Sequence, residues 1–287
     1  MQVSDFVLLM ICCLAWAGNL VLSAWALGNN PVPPFLLAFA RSSIVLLFMF
    51  PFFRLPLPKR WGRLLLVCAC IGPIHLGFLY IGLQTASATG GSIVSQMFIP
   101  IATLLSIIFL KERVGWRRGL AIVGAFIGTI IMIYDSRDMA LDIGLIYVMM
   151  AYVAMAVGSI VMKAVGDVDW RQYVLWMASM VFVTMGLASF FFETGQAEVW
   201  RDSRVPLLIT AGYAAIAVTI LAHGQYFNLI KKYDVSVVVP LTLVVPLFAS
   251  VMGVLFLGEV IYQRYYIGAA LILPCVYVIA KRQGVSP

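Results

Sequence analysis

The chain alternates long apolar stretches with short polar joints. Ten stretches of about twenty mainly apolar residues follow one another, and the charged residues are concentrated between them. Because a helix needs roughly 20 residues to cross a hydrocarbon core about 30 Å thick, and must satisfy its own backbone hydrogen bonds there, this pattern predicts ten transmembrane helices. The predicted spans are approximately 5–27, 33–53, 62–84, 90–110, 117–134, 142–163, 171–192, 206–229, 235–257 and 264–280.

The composition supports a polytopic all-α membrane protein. Hydrophobic residues make up 63% of the chain and charged residues 11%, whereas about 25% of a soluble domain is charged. No joint is long enough to fold as a domain of its own. The net charge of +7 resides at the joints, where basic residues set membrane orientation, so we expect a lipid bilayer and no nucleic acid as partner.

The basic residues also predict how the chain is oriented. When the joints are assigned alternately to two sides, fourteen of the nineteen Lys and Arg residues fall on the side of the termini and four on the other. Arg41, inside the second span, is the remaining one. The positive-inside rule therefore predicts that both termini are cytoplasmic.

Two segments of the chain resemble each other. Tyr80, Leu83 and Pro100 recur as Tyr226, Leu229 and Pro246 at an offset of 146 residues, and Leu110 and Glu112 recur as Leu257 and Glu259 at 147. One repeat then holds five spans, an odd number, so the second copy enters the membrane from the opposite side. We expect two inverted repeats, residues 1–136 and 137–287, around a central cavity, an architecture common among transporters.

Several short motifs carry a family resemblance. They are Trp16-Ala-Gly-Asn19, Phe39-Ala-Arg41, Pro100 with Leu110-Lys-Glu112, and Pro246 with Leu257-Gly-Glu259. With these motifs the chain resembles the EamA-like ten-helix branch of the drug/metabolite transporter superfamily, and is most similar to bacterial amino-acid exporters of the YddG type. The resemblance implies a bacterial inner-membrane exporter of small metabolites. The chain departs from the family at Ala121, where a glycine is usual, while the second repeat keeps Gly268.

Polar residues inside the spans are the candidates for a substrate site, because lipid-facing positions exclude them. Trp16 and Asn19 share one face of span 1 with Cys12 and Ser23, and Gln96 lies on a similar stripe in span 4 with Ser92, Thr103 and Ser106. The alternative for the hydroxyl residues is helix packing, and for the amides a hydrogen bond across a helix interface. Pro100 and Pro246 would free the carbonyls of Gln96 and Thr242 for a cationic group.

The other candidates are a buried cation, two histidines and their neighbours. Arg41 could contact a substrate carboxylate, hold the two halves in register, or extend outward and cap carbonyls. His75 and His223 occupy equivalent spans, but their spacing of 148 would turn them about 200° apart in uniform α-helices. Each could face the cavity, or pack against a helix carbonyl. Tyr80, Gln225 and Tyr226 complete the predicted substrate-binding set.

Several classes of function lack the residues that they need. All twelve acidic residues lie at joints or span ends, which argues against proton-coupled export of cationic drugs through a membrane carboxylate. No phosphate-binding loop, nucleophile elbow or zinc-ligand spacing occurs, so we expect no enzyme activity, cofactor or metal site. The five cysteines lie inside spans and predict neither disulfides nor a zinc site.

These observations favour a transporter of small neutral metabolites, especially amino acids, including aromatic and apolar ones, working by alternating access. A zwitterion suits the predicted site, since its carboxylate could meet Arg41 or Asn19 and its ammonium an aromatic face. The alternatives are a transporter of sugar phosphates, nucleotide sugars or drugs in the same superfamily, and, from other classes, a membrane enzyme or a scaffold. A monomer is compatible with the pattern.

Overall fold

A computed structural model describes residues 1–30, 32–51, 61–111, 115–135, 140–163, 165, 169–233, 238 and 241–281. These residues are almost entirely helical. Helices of the first half are α1 (Val3–Ala24), α2 (Pro34–Met49), α3 (Trp61–Ala69), α4 (His75–Gly82), α5 (Ala88–Ser95), α6 (Phe98–Leu110) and α7 (Trp116–Ile133). Those of the second half are α8 (Ile143–Lys163), α9 (Trp170–Phe192), α10 (Gln196–Asp202), α11 (Arg204–Tyr213), α12 (His223–Lys232), α13 (Val245–Leu257) and α14 (Gln263–Lys281).

The joint between the halves contains the described strands. Strand β1 (Tyr134–Asp135) pairs antiparallel with β2 (Ala140–Leu141), with Tyr134 opposite Leu141. Asp142 then donates its backbone N–H to the carbonyl of Ile133 at 2.8 Å. The predicted repeat boundary at 136/137 and the joint residue Glu112 lie outside the described residues.

Seven helical segments of the described chain are long and apolar enough to cross a membrane. They are Val3–Asn29, Trp61–Gly82, Ala88–Phe109, Trp116–Ile133, Ile143–Met162, Trp170–Phe192 and Arg204–Tyr226. Three further apolar helices are shorter: Pro34–Met49, Thr242–Leu257 and Gln263–Ile279. Each of these ten segments coincides with one predicted span.

Three spans contain π-helical turns, in which the backbone bonds skip one more residue than in an α-helix. These segments are π1 (Trp25–Asn29) after α1, π2 (Cys70–Ile74) between α3 and α4, and π3 (Ala214–Ala222) between α11 and α12. Pro73, which lacks an N–H donor, lies inside π2. In π3 the hydroxyl of Thr219 donates to the carbonyl of Ala214, five residues back, at 2.8 Å. Spans 3 and 8 are therefore not uniform α-helices.

The prolines of spans 4 and 9 tighten their helices and leave the predicted carbonyls occupied. The span 4 helix divides at Gln96, whose carbonyl accepts the N–H of Ile99 at 3.2 Å. A 3₁₀ turn, Thr242–Val244, precedes α13, and the carbonyl of Thr242 accepts the N–H of Val245. The expectation that both carbonyls would be free for a cation is wrong, because bonds three residues along the chain take them.

The joint motif Leu-Xaa-Glu ends a helix in the same way in both repeats. Lys111 and Gly258 each follow the last residue of their helix and adopt left-handed backbone angles, with φ of 55° and 65°. Such a residue commonly ends a helix by turning the chain away from its axis. The sequence repeat thus corresponds to a repeated helix C-terminus.

Helices of the two halves pack against each other in matched pairs. Helix α7 packs on α14, α2 on α9, α1 on α13, and α5 and α6 on α8. Helix α4 packs on α8, as α1 packs on π3 and α12. Gly128 and Gly268 approach each other closely: a Cβ on Gly128 would lie 3.1 Å from the Gly268 carbonyl oxygen. The Gly124-to-Gly128 pattern therefore serves packing within the chain.

Polar contacts join the ends of helices from different halves. The Glu193 carboxylate accepts the backbone N–H groups of Phe35 and Leu36 at 2.6 and 3.0 Å. Within the second half, Asp142 pairs with Arg264 at 3.3 Å.

A separate group lies at the chain's amino-terminal end. Lys232 pairs with Asp5 at 2.7 Å, and the hydroxyl of Tyr233 donates to the same carboxylate at 2.6 Å. The hydrogen bond to Asp5 raises the pKa of Lys232 above its usual value.

Candidate functional site

Arg41 lies where both halves of the protein meet. It occupies the middle of α2 and is 8% exposed. Its Nη1 donates to the Tyr80 hydroxyl at 3.1 Å, and its Nη2 donates to the Thr219 hydroxyl oxygen at 2.9 Å. Tyr80 belongs to the first half and Thr219 to π3 of the second. Arg41 therefore does not extend outward to a helix end, and it contacts both repeats.

The partners of Arg41 are neutral. None of the ion pairs between described residues includes Arg41, and the acidic residues of the chain lie at the joints. Tyr80 is fully buried, and the Thr219 hydroxyl already donates its own proton to the Ala214 carbonyl. The guanidinium charge is thus hydrogen-bonded but not balanced by a carboxylate among the residues that the structure describes.

His75 packs against a neighbouring helix. It is 8% exposed, its Nδ1 lies 2.9 Å from the carbonyl oxygen of Ala151, and its ring contacts Tyr152 edge to face at 5.1 Å. This is the packed arrangement that the sequence left as an alternative. One ring nitrogen is therefore committed to the backbone of α8.

His223 has a different environment. It is exposed, and its ring lies 5.7 Å from that of Trp16 on α1. Both histidines lie within electrostatic reach of Arg41, and His75 acts on His223 as well. The rotation of about 200° between them applies only to uniform α-helices, and spans 3 and 8 are not uniform. Segments π2 and π3 directly precede the two histidines, and a π-turn advances each residue through a smaller angle than an α-turn.

Helix α1 presents a row of polar atoms that the protein does not satisfy. The Trp16 Nε1, the Asn19 Oδ1 and the Ser23 Oγ are buried and have no hydrogen-bond partner among the described residues. Asn19 is 8% exposed and Ser23 is fully buried. Spacings of three and four residues place all three on one helix face. Buried polar atoms are normally paired, so this face is a chemically unsatisfied part of the bundle.

Aromatic rings from the other repeat border this face. The Tyr226 ring meets Trp16 edge to face at 5.0 Å, on the same helix as His223. Gln225 is exposed, and no contact of its side chain with a described residue joins it to this group. The structure thus brings together Trp16, Asn19, Tyr226 and His223, and leaves Gln225 apart.

The polar stripe of span 4 is mostly structural. The hydroxyls of Ser92 and Thr103 donate to the carbonyls of Thr89 and Ile99 in their own helices, as packing predicts. Gln96 is 8% exposed and lies at the break between α5 and α6. Its amide makes no hydrogen bond with a described residue, so it remains a candidate while the hydroxyls do not.

Two residues of this region were missed by the sequence analysis. Thr219 gives Arg41 its contact with the second half, and Tyr213 donates its hydroxyl to the Ala15 carbonyl at 3.2 Å beside Gly18. A threonine in an apolar span is common as a packing residue, so no local signal marked Thr219. Its position in a π-helical segment is a property of the folded chain.

The described residues bring no three His, Cys, Asp or Glu side chains together as a metal site. What the arrangement offers is a set of buried donors and acceptors between two repeats. The guanidinium and the Trp16 N–H are donors, and the Asn19 Oδ1 is an acceptor. Such a set suits reversible binding of a small polar molecule with an apolar part.

Comparison with known proteins gives a consistent result. Residues 4–134 and 142–281 each match the model of the EamA-like transporter family. A "Probable amino-acid metabolite efflux pump" of Escherichia coli (strain K12) is 25% identical over 290 residues, covering 97% of this chain and 95% of that one. The protein of the same description from Salmonella typhimurium is 26% identical, with the same coverage.

Two further likenesses agree with this result. An uncharacterized transporter of Haemophilus influenzae is 27% identical over 218 residues, covering 72% of this chain and 71% of that one. A solved crystal structure of another chain, 17% identical, superposes with a TM-score of 0.61 over 99% of this chain and 100% of that chain. At this identity the last likeness shows the fold alone.

Proposed function

Since the chain belongs to the EamA-like transporter family of the drug/metabolite transporter superfamily, and is a multi-pass membrane transporter rather than an enzyme, we propose that it exports small neutral metabolites, principally amino acids, by alternating access. We place it in the bacterial inner membrane, with both termini cytoplasmic. Its ten spans form two inverted repeats, 1–136 and 137–287, around a central cavity. The substrate site is lined by Trp16, Asn19, Arg41, His75, Tyr80, Gln96, His223 and Tyr226, with Gln225 at its edge.

The pairing of helices supports the inverted repeat. When each span is exchanged for the one five places along, the contact of α1 with α13 becomes that of α8 with α5 and α6, while α2 with α9 and α7 with α14 become themselves. Two copies related by a pseudo-twofold axis produce this correspondence.

The contacts between helix ends support the alternation of sides. Glu193 meets the start of α2, Glu259 meets the start of α5, and Asp142 meets Arg264. In a ten-span arrangement all of these ends lie on the outer side. Asp5, Lys232 and Tyr233, which contact each other, all belong to the cytoplasmic side.

The observation that carries the transport proposal is the unsatisfied face of α1. Trp16, Asn19 and Ser23 leave buried polar atoms without partners, where rings of the other repeat meet α1. A permanently buried interface loses stability through such atoms, whereas a site that receives a polar solute satisfies them on binding. The position between the repeats is where alternating access requires the site to be.

Amino acids fit this site better than phosphorylated sugars. The two full-length bacterial relatives are described as probable amino-acid metabolite efflux pumps. A phosphate ester carries nearly two negative charges, while Arg41 is the one Lys or Arg residue in the middle of a predicted span. Sugar phosphates remain the second candidate, because the guanidinium of Arg41 can pair with two oxygens of one phosphate group.

Flux into liposomes tests the function directly. Purified protein reconstituted into vesicles should exchange labelled phenylalanine or leucine for the same unlabelled amino acid, and should not exchange glucose 6-phosphate. We expect facilitated transport that persists when the pH gradient is collapsed, because the spans hold no carboxylate to couple protons. Exchange of glucose 6-phosphate without amino-acid exchange would contradict amino-acid transport and favour the second candidate, a sugar-phosphate transporter.

Proton coupling through the histidines has its own control. Transport by the wild type could strictly require a pH gradient. If the double variant His75→Ala, His223→Ala then transports without one, the imidazoles couple proton movement to transport. The same requirement surviving in that variant would contradict facilitated transport and the histidine route together.

A further inference from the structure

Arg41 is a buried cation whose charge the described protein does not neutralise. It is 8% exposed, and its two hydrogen bonds to described residues go to hydroxyl groups, those of Tyr80 and Thr219. Neither group carries negative charge. The other ionisable groups within electrostatic reach, His75 and His223, cannot supply negative charge either. The surroundings of Arg41 are therefore polar but contain no anion.

A guanidinium in this position is costly without an anion. Moving an arginine to the middle of a membrane helix costs about 3 kcal/mol on insertion scales, and burial of a charge is normally balanced by a partner of opposite sign. Two neutral hydrogen bonds replace part of the lost hydration but leave the charge unbalanced. A bound anion can supply the negative charge that the surroundings of Arg41 lack.

The geometry of the donors indicates which anion fits. A guanidinium has five N–H donors in one plane, and Arg41 uses one on Nη1 and one on Nη2 for its hydroxyl partners. The remaining donors lie in the same plane, and a guanidinium can pair with a carboxylate in that plane through two parallel hydrogen bonds. A single guanidinium balances a monoanion, and leaves a dianion half unbalanced.

We propose that Arg41 is the anion subsite of the transport site and binds the carboxylate of the substrate. This inference deepens the amino-acid transport proposed above and rests on it. The unsatisfied face of α1 supplies the complementary acceptor, since the Asn19 Oδ1 has no donor and the aromatic face of Trp16 attracts cations. A zwitterion satisfies both ends, whereas an amine alone leaves the Arg41 charge unbalanced.

The site also links the substrate carboxylate to the contact between the repeats. Arg41 reaches the second half through Thr219, so an anion on its remaining donors lies next to the hydrogen bond that joins α2 to π3. The same chemistry can come from two sources, the carboxylate of the solute or a free chloride ion. The experiment separates them.

The test compares ligands that differ only in charge. Thermal melting of the purified full-length protein is titrated with phenylalanine, phenylalanine methyl ester, which keeps the ring and ammonium, and 3-phenylpropionate, which keeps the ring and carboxylate. Each titration is made with chloride or with a bulky sulfonate as the buffer anion. Variants Arg41→Gln and Arg41→Lys are compared with Arg204→Gln, which removes an exposed arginine elsewhere.

Phenylalanine should stabilise the wild type at concentrations at least about tenfold lower than the ester, because a charge-assisted pair is lost with the carboxylate. Arg41→Gln should abolish this preference, Arg41→Lys should retain part of it, and Arg204→Gln should match the wild type. Competition by chloride in the wild type, absent in Arg41→Gln, would show that the subsite also accepts a free anion.

Equal stabilisation by phenylalanine and its ester in the wild type would overturn the inference and leave Arg41 as a bridge between helices. This comparison decides the matter even if Arg41→Gln does not fold. If amino acids neither bind nor exchange in liposomes, but 3-phenylpropionate stabilises the wild type and not Arg41→Gln, the amino-acid assignment fails and the anion subsite stands. If no anion changes the melting of the wild type, the subsite is wrong.

Discussion

Buried polar atoms of α1 that lack hydrogen-bond partners among the described residues distinguish the proposed binding role from ordinary helix packing. The side chains of Trp16 and Asn19 retain buried atoms without hydrogen-bond partners, although their neighbours on the helix pack closely. Leu14, on the same helix, is 47% exposed and points away from the bundle. The two faces of α1 therefore differ in chemistry, and substitutions on them should differ in effect.

Replacing Trp16 or Asn19 by alanine should reduce amino-acid exchange by about tenfold, because each loses one polar contact to the substrate. Expression and monodispersity should stay near those of the wild type, since the polar atoms that are removed have no hydrogen-bond partner among the described residues. Leu14→Ala is the matched control on the lipid-facing side. Normal exchange by Trp16→Ala in liposomes would show that α1 does not border the route.

Gly18 provides a second residue-scale prediction, this time of stability. A Cβ at this position would lie 2.6 Å from the Tyr213 hydroxyl oxygen, whereas a Cβ at Gly212 meets no atom within 4 Å. Gly18→Ala should lower the free energy of unfolding by about 1–3 kcal/mol through this overlap. Tyr213→Phe in the same chain should restore part of the loss, and Gly212→Ala should be neutral or stabilising. Melting temperatures that do not separate Gly18→Ala from Gly212→Ala would contradict the close approach.

At the scale of elements, the motif Leu-Xaa-Glu acquires a physical meaning. Its middle residue ends a helix in the left-handed region, and in the second repeat its glutamate reaches the start of a helix in the first. The Glu259 carboxylate accepts the backbone N–H groups of Ala88 and Thr89 and the hydroxyl of Thr89. An anion at this position satisfies exposed N–H groups and favours the positive end of the helix dipole.

Glu259→Gln should therefore lower the melting temperature, with a loss of about 1–2 kcal/mol in the free energy of unfolding. The amide keeps the shape but removes the charge, and its NH₂ group cannot accept. Asp202→Asn is the matched control, because Asp202 pairs only with its exposed neighbour Arg201 at the surface. Equal melting of the two variants would show that Glu259 does not hold α5.

The two left-handed positions allow a reciprocal exchange. Gly258→Lys should destabilise the protein by about 1 kcal/mol, since a side chain at φ of 65° is strained. Lys111→Gly relieves the corresponding strain at φ of 55° and should stabilise by a similar amount. Opposite shifts in the melting temperature are expected. Shifts of the same sign would mean that the repeated C-termini are not equivalent.

At the scale of the whole molecule, the two repeats interlock rather than fold as separate units. The main hydrophobic core contains residues from both halves, among them Leu37, Met97, Leu145 and Ile272. The second half also supplies contacts to helix starts of the first, through Glu193 and Glu259.

Reporter fusions test this topology. A reporter fused after Pro287 should be active as a cytoplasmic reporter, and one fused after Asp135, in the joint between the repeats, should be active only on the opposite side, because fourteen basic residues lie on the side of the termini and four on the other. A fusion after Glu193 should agree with the Asp135 fusion. The same side for Pro287 and Asp135 would overturn the count of ten spans.

The sequence by itself determined the class, the family and the approximate spans. Hydrocarbon length and backbone hydrogen bonding restrict a chain in a bilayer so strongly that apolar stretches alone locate its helices. It also placed Trp16, Asn19 and Arg41 correctly among the residues inside the bundle, since a charge or an amide in a span must face protein or water. The repeat at Leu257 and Glu259 marked a true helix end.

The tertiary structure alone decided how the side chains meet. The π-helical segments before His75 and His223 changed their directions, and 3₁₀ turns occupied the carbonyls that Pro100 and Pro246 had seemed to free. Thr219 became a partner of Arg41 only because π3 brings it there. Helix periodicity assumes a constant rotation per residue, and a single wide or tight turn shifts every side chain after it. The hydrophobic pattern fixes where the helices are, and their packing fixes what each face contacts.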